Sequence, residues 1–252
     1  MIDLDNYQRN YVDQPYEKHQ IEFRRREILK RLRCYKHDAI LEVGCGLEPL
    51  FTKYNGYTEM TIVEPASDFA RAADLAIKKS GKDNCRLVKG LLQEVIDQLV
   101  GRNYDFIIVS SLLHEIEDPL LFLRHIRRLC SASTIVHINV PNAYSFHRLL
   151  AVKMNLIATP KEISESQVAF QQYHTFTLED LLGIITKANF KAIHYGSYAF
   201  KPFTHSQMQK MIDDGNLSTA MLEGLSLMHE DLPGLGSEIF ADMKIGGHDD
   251  EG

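Results

Sequence analysis

Short runs rich in β-branched residues alternate along this chain with stretches whose apolar positions recur every three or four residues. That is the pattern of βαβ units in a parallel sheet covered on both faces. Ala39–Val43, Met60–Val63, Arg86–Val88, Phe106–Val109 and Thr134–Val140 read as successive strands, the last stopped by Pro141. Phe69, Ala73, Ala76 and Ile77 line one intervening helix, and Leu120, Leu123, Ile126 and Leu129 another. The pattern loosens after Asn142. Thr177 and Asp180 resemble a capping box ahead of Leu181, Leu182 and Ile185, which predicts a helix start. Phe190–Phe200 then reads as a sixth strand, 205–213 and 219–228 as helices, and Ser237–Met243 as a final strand. Ahead of the first strand, Ile21, Ile28, Leu29 and Leu32 share one face of a helix from about Tyr16 to Arg33, with its arginines and lysines on the solvated face. The predicted fold is α/β: a doubly wound, mostly parallel seven-stranded sheet with an N-terminal helix and helical inserts in its second half.

The 252 residues suit one large domain with an insertion rather than two cores. We divide them into an arm and helix (1–37), a central unit (38–142), later helices and strands of the same domain (143–246) and a flexible tail (247–252). Four scattered cysteines without a Cys-x-x-Cys pair predict reduced thiols and neither a zinc knuckle nor a redox dithiol. No apolar run reaches the ~18 residues of a membrane span and the start is polar, so a cytoplasmic protein without membrane contact is expected. A formal charge of −6 argues against broad nucleic-acid binding. That charge is unevenly spread. Seven Lys or Arg stand between Arg24 and Lys36 against one Glu, whereas 213–252 holds ten Asp or Glu and one Lys. The basic arm is the place to expect an anion.

The candidate chemistry centres on Ile40-Leu41-Glu42-Val43-Gly44-Cys45-Gly46-Leu47-Glu48-Pro49. A strand ending in Gly-x-Gly lets backbone approach a ligand where a Cβ would collide, at the carboxyl edge where open parallel sheets bind ligands. Glu64, twenty residues after Gly44, ends the second strand, where a carboxylate accepts hydrogen bonds from ribose hydroxyls. Nicotinamide dinucleotides and S-adenosylmethionine both use this arrangement. Pro49 stands where a dinucleotide fingerprint needs its third glycine, and Glu48 opposes a pyrophosphate at a helix N-terminus. Glu42 is placed to face a positive amino group or sulfonium.

Leu41–Gly46 resembles motif I of the class I S-adenosylmethionine-dependent methyltransferases, Val63-Glu64-Pro65 their next motif, and Tyr104–Glu115 their fourth-strand block. The resemblance covers residues 38–142. Val140–Arg148 and Tyr173-His174-Thr175-Phe176 further resemble a bacterial subgroup acting on small molecules, some in surface-polysaccharide pathways. It implies S-adenosyl-L-methionine as cofactor, with Gly44, Cys45 and Gly46 at the methionine moiety, Glu64 and Pro65 at the ribose, Leu91 and Leu92 at the adenine and Ser110 beside them. Where the family has a third glycine this chain has Glu48, and Leu91 or Leu92 replaces its polar adenine contact.

Methyl transfer from a sulfonium is an in-line displacement, so alignment supplies most of the catalysis. For a hydroxyl acceptor a histidine base helps, and His114, just after the fourth strand, is the first candidate. His147 and His174 are further candidates to orient or deprotonate the acceptor, while His137 reads as structural. No ligand spacing points to a metal. Arg24–Arg26, Arg148 and Lys201 suit an anionic small-molecule acceptor. Tyr7, Tyr11 and Tyr16 are spaced for a lid, with a phenol reaching the cofactor carboxylate. The expected function is O-methylation of a small polar metabolite by a monomer or homodimer. A non-catalytic cofactor-binding regulator and a nicotinamide-dependent oxidoreductase are the alternatives.

Overall fold

The computed structural model describes residues 15–164, 167–168 and 171–246. Seven strands form one sheet: β1 (Ala39–Val43), β2 (Glu59–Glu64), β3 (Cys85–Lys89), β4 (Phe106–Ser110), β5 (Ile135–Pro141), β6 (Phe190–Tyr198) and β7 (Glu238–Ile245). Their order is β3-β2-β1-β4-β5-β7-β6. The first five run parallel, and β7 is inserted antiparallel between β5 and β6. The carboxyl ends of β1, β2, β4, β5 and β6 and the start of β7 therefore lie along one edge, and the site forms there.

The helices are α1 (Glu17–Leu32), α2 (Ser67–Ser80), α3 (Leu92–Val95), α4 (Pro119–Arg128), α5 (Phe146–Lys153), α6 (Leu178–Lys187), α7 (His205–Asp213) and α8 (Thr219–Leu227). Period-2 alternation sends each strand's side chains to both faces. Leu41, Ile107, Val109 and Val136 pack under α4 and α6 on one face. Ile40, Ile62, Phe106 and Ile108 meet Ile28 and Leu32 of α1 and Ala73 of α2 on the other. A third cluster joins Phe23 of α1 to Tyr198, Phe240, Met208 of α7 and Leu222 of α8. Full burial of each such side chain contributes about 1.5–3 kcal/mol. The capping box of α6 forms as predicted: Thr177 Oγ1 accepts from the Asp180 N–H at 3.1 Å, and Asp180 accepts from the Thr177 N–H at 2.9 Å. β6 stops two residues before the predicted Phe200, because Ala199 turns into the left-handed region at φ 58°.

The largest departure concerns α1. Lys18, Arg26, Lys30 and Arg33 are exposed as expected, but Arg25 and Arg31 are buried and Arg24 is partly so. Arg31, buried, donates to Asp242 at 2.8 Å, and the other Asp242 oxygen lies 2.7 Å from His137 Nδ1. Burial opposes ionisation of Asp242, yet the His137 hydrogen bond and the Arg31 charge hold its pKa below the usual carboxylate range. Arg25 pairs with Glu48, Arg26 with Glu223, and Arg24 with Glu17 and, at 3.6 Å, with Glu238. The helix lies across the face of β7 that carries Glu238, Phe240 and Asp242, so its cations meet carboxylates of the same chain. The arm and the acidic C-terminal half neutralise each other in part.

Candidate functional site

A cavity opens at the carboxyl edge, between the turn after β1 and the inner face of α1. Of the residues predicted for cofactor binding, Glu42, Gly44, Cys45, Gly46, Glu64, Pro65, Leu91 and Ser110 line it. Leu92 does not; it starts α3 with its side chain buried in the core, leaving Leu91 on the wall. Tyr11, like Tyr7 and the tail 247–252, lies outside the described residues. Tyr16 is described but sits off this cavity, buried, with its ring stacked on His205 at a centroid distance of 5.9 Å.

The turn needs its glycines because Gly44 and Gly46 adopt φ of 76° and 55°, where L side chains are strained. A Cβ on Gly44 would also stand 3.4 Å from Leu112. Glu64 then ties the turn to β2. Its Oε2 accepts from the Cys45 and Gly46 N–H groups at 2.9 and 3.2 Å, and Oε1 accepts from the Ala66 N–H at 2.9 Å. A carboxylate offers about four acceptor positions. Three serve the backbone, so one remains, on Oε1, for a ligand hydroxyl. Burial raises the Glu64 pKa, while these amides favour the ionised form.

Glu42 is buried as well and has both oxygens within reach of the Leu50 N–H, at 3.2 and 3.1 Å. Burial pushes its pKa up to about 8, so at pH 7 it is mostly protonated until a cation comes near. The Cys45 thiol is driven upward too, by burial and by the charges of Glu42 and Glu64, which makes it an inert wall group. Arg24 and Arg25 reach the same cavity, each already paired with a carboxylate. Two buried carboxyls at a glycine turn, with the nearby cations paired, suit a ligand whose end beside the turn is positive. Among the described residues a pyrophosphate finds no cation there that is not already paired with a carboxylate.

None of the three candidate histidines lines this cavity. His114 sits on a short turn (Leu113–Glu115) after β4, 2% exposed, with Nδ1 lacking a partner among the described residues. Burial lowers its pKa to about 3, so it is uncharged at neutral pH. Its neighbour Glu115 does reach the cavity. The Tyr173 and His174 N–H groups both donate to the His114 carbonyl, at 2.9 and 3.1 Å, which ties the turn after β4 to the Tyr173–Phe176 segment. His147, on α5, lies elsewhere, in the surroundings of Lys201 and His205. Arg148 is engaged by the Pro160 and Glu162 carbonyls and Gln167.

Sequence reasoning missed Glu238, Tyr198 and His205 near this edge, and also Asp242 below it. Their signal was present: two acids spaced i, i+4 inside an otherwise apolar strand put both carboxylates on one buried face.

The profile of a family described as a methyltransferase domain matches residues 16–195. No curated protein matches in sequence. Among solved structures, a methyltransferase from Thermotoga maritima, titled a possible histamine N-methyltransferase, superposes with a TM-score of 0.60 at 16% identity, over 95% of this chain and 98% of that one. An S-adenosylmethionine-dependent methyltransferase from Aquifex aeolicus gives 0.59 at 13%, over 97% and 100%. The [4+2]-cyclase SpnF gives 0.58 at 12%, over 88% and 79%. At these identities the likeness is one of fold, and the cyclase shows that the fold also serves other chemistry.

Proposed function

We propose that this protein, which belongs to the class I S-adenosylmethionine-dependent methyltransferases, moves a methyl group to an oxygen of a small polar metabolite. S-Adenosylmethionine is its cofactor, and when bound it supplies an electrophilic methyl on a sulfonium. The observation that carries the residue assignment is the pair of buried carboxyls, Glu42 and Glu64, at the glycine turn. Gly44, Cys45 and Gly46 present backbone to the methionine moiety, and Glu42 faces its positive end. Glu64 accepts one ribose hydroxyl through Oε1 while holding the turn, Pro65 and Leu91 flank the adenosine, and Ser110 closes the far wall.

Alignment is the main contribution asked of the acceptor side. An imidazole with a pKa near 3 takes a proton poorly at pH 7, so we assign His114 a hydrogen-bonding rather than a proton-taking role. His147 and His174 are likewise proposed to orient the acceptor. An oxygen acceptor suits a buried neutral imidazole such as that of His114, which holds a hydroxyl without charging it. The guanidiniums expected to hold an anion are engaged within the chain, which leaves Lys201 as the support for an anionic acceptor. Sugars, phosphorylated precursors and surface-polysaccharide building blocks are the compounds to try first. The test is transfer of a labelled methyl from S-adenosylmethionine: an O-methyl product is expected, and a product methylated on nitrogen would overturn the oxygen assignment.

A further inference from the structure

Buried polar groups without partners gather at the carboxyl ends of β5 and β6, around the start of β7. Glu238 opens β7 in register with Tyr198 of β6 and Pro141 of β5. Both side chains are almost inaccessible, at 2% and 3% exposure. One Glu238 oxygen lies 3.6 Å from Arg24 Nε. The other, Oε2, has no hydrogen-bond partner among the described residues, and neither do the Tyr198 hydroxyl, His147 Nδ1 and His205 Nε2. The buried Lys201 stands among them, with Glu238 and Glu17 the carboxylates whose charges favour its protonation and Arg24 and Arg148 the cations that oppose it.

Local packing holds these groups together. Phe146, next to His147, donates its N–H to the Leu235 carbonyl, and its ring lies 5.1 Å from that of Phe200, next to Lys201. Gly236 permits the close approach of this loop to β6, since a Cβ there would stand 2.4 Å from the Tyr198 carbonyl oxygen. Buried polar atoms in folded proteins almost always have partners, because leaving them dry is costly. Four such atoms in one buried region with the Lys201 ammonium form a polar cluster, or chamber, whose unmet hydrogen bonds a bound molecule would satisfy. Arg24 lines the cofactor cavity and also touches Glu238, so it forms a wall common to both spaces.

We propose that this chamber is the acceptor pocket and that it selects a neutral molecule bearing several hydroxyl groups, of the polyol or glycoside class. The inference rests on the O-methylation reading above and narrows its substrate. The unpartnered groups include a carboxylate oxygen that accepts and a phenol and two imidazole nitrogens able to donate or accept, and a ligand hydroxyl can meet each of them. A fully ionised phosphate or carboxylate only accepts, and cannot satisfy Glu238 Oε2 when that carboxylate is ionised. Arg24 and Lys201 are matched in number by Glu17 and Glu238, and Arg148, the third cation nearby, is engaged by the Pro160 and Glu162 carbonyls and Gln167. Burial pushes Glu238 up to about 7 and Lys201 down to about 7, which further reduces the charge on both near neutral pH.

The test incubates the full chain with S-adenosylmethionine carrying a labelled methyl and a deproteinised metabolite extract of the cells that make the protein, then separates products by charge at pH 7. A neutral, O-methylated, multiply hydroxylated product supports the proposal. Label in the anionic fraction overturns the proposed class while leaving methyl transfer intact. No label, with cofactor binding demonstrated, overturns the O-methylation reading and this proposal with it. Variants locate the pocket: Glu238→Gln should lower transfer at least tenfold, mainly through the acceptor KM, with S-adenosylhomocysteine affinity within twofold of wild type. Tyr198→Phe removes a single oxygen and should raise the same KM several-fold. Unchanged acceptor KM in both would place the acceptor elsewhere.

Discussion

The two halves of the carboxyl edge are built on opposite principles. On the β1–β2 side the buried carboxyls are held by backbone amides close to them in the chain: three for Glu64 and one for Glu42, all within the turn after β1 and the end of β2. On the β5–β7–β6 side the buried polar groups come from α1, α5, α7, two strands and the loop after β6, and several of their atoms have no partner among the described residues. The first half is preorganised and self-sufficient, which suits a ligand shared by a whole family. The second is assembled from distant segments and left incomplete, which suits a ligand particular to this protein.

The largest expected effect strikes the frame beneath the incomplete half. Asp242→Ala would leave Arg31 and His137 buried without their carboxylate, a loss of about 3–5 kcal/mol. Chemical denaturation measures it, and a change below about 1 kcal/mol would mean that α1 is held by apolar contacts alone. Next comes the self-sufficient half. Glu64→Ala frees three backbone donors as well as a ribose contact, and cofactor affinity should fall by about 1–3 kcal/mol, roughly fivefold to 150-fold. An unchanged dissociation constant would remove Glu64 from the cofactor site.

A smaller effect is protonic. With a pKa of about 8, Glu42 is mostly protonated at pH 7, and a cationic ligand beside it favours the ionised form. Cofactor binding at pH 7 should therefore release part of a proton, and affinity should rise between pH 6 and pH 8. Calorimetry in buffers of different ionisation heat reads this directly. Glu42→Gln should abolish the release, and a release that persists would assign it to another group. The smallest effect is expected at His174, half-buried, whose ring nitrogen lies 3.3 Å from the Glu117 carbonyl and whose ring packs on Tyr173 and Phe176. His174→Ala should leave cofactor affinity within about twofold and cost no more than about 1 kcal/mol of stability. A larger loss of cofactor binding would extend the self-sufficient half beyond β4.

The same contrast governs what could be read from the sequence. The strands, the glycine turn and Glu64 were legible because their signals are local: a period of 2, a Gly-x-Gly and an acid at fixed spacing. The capping box at Thr177 was legible for the same reason. The pairing of Arg31 with Asp242 joins residues 211 positions apart, and nothing near Arg31 distinguishes it from a solvated arginine. Leu91 and Leu92 could not be separated either, since only the start of α3 decides which faces the cavity. His114 was placed after β4 by sequence, but its burial depends on Tyr173 and His174 closing over the turn.

The central claim is that the two halves serve different ligands, and S-adenosylhomocysteine affinity measured by calorimetry on Glu64→Ala and Glu238→Gln side by side tests it most directly. Glu64→Ala should lose at least about fivefold in affinity while Glu238→Gln stays within twofold of wild type. Equal losses in both variants, or a loss only in Glu238→Gln, would contradict it.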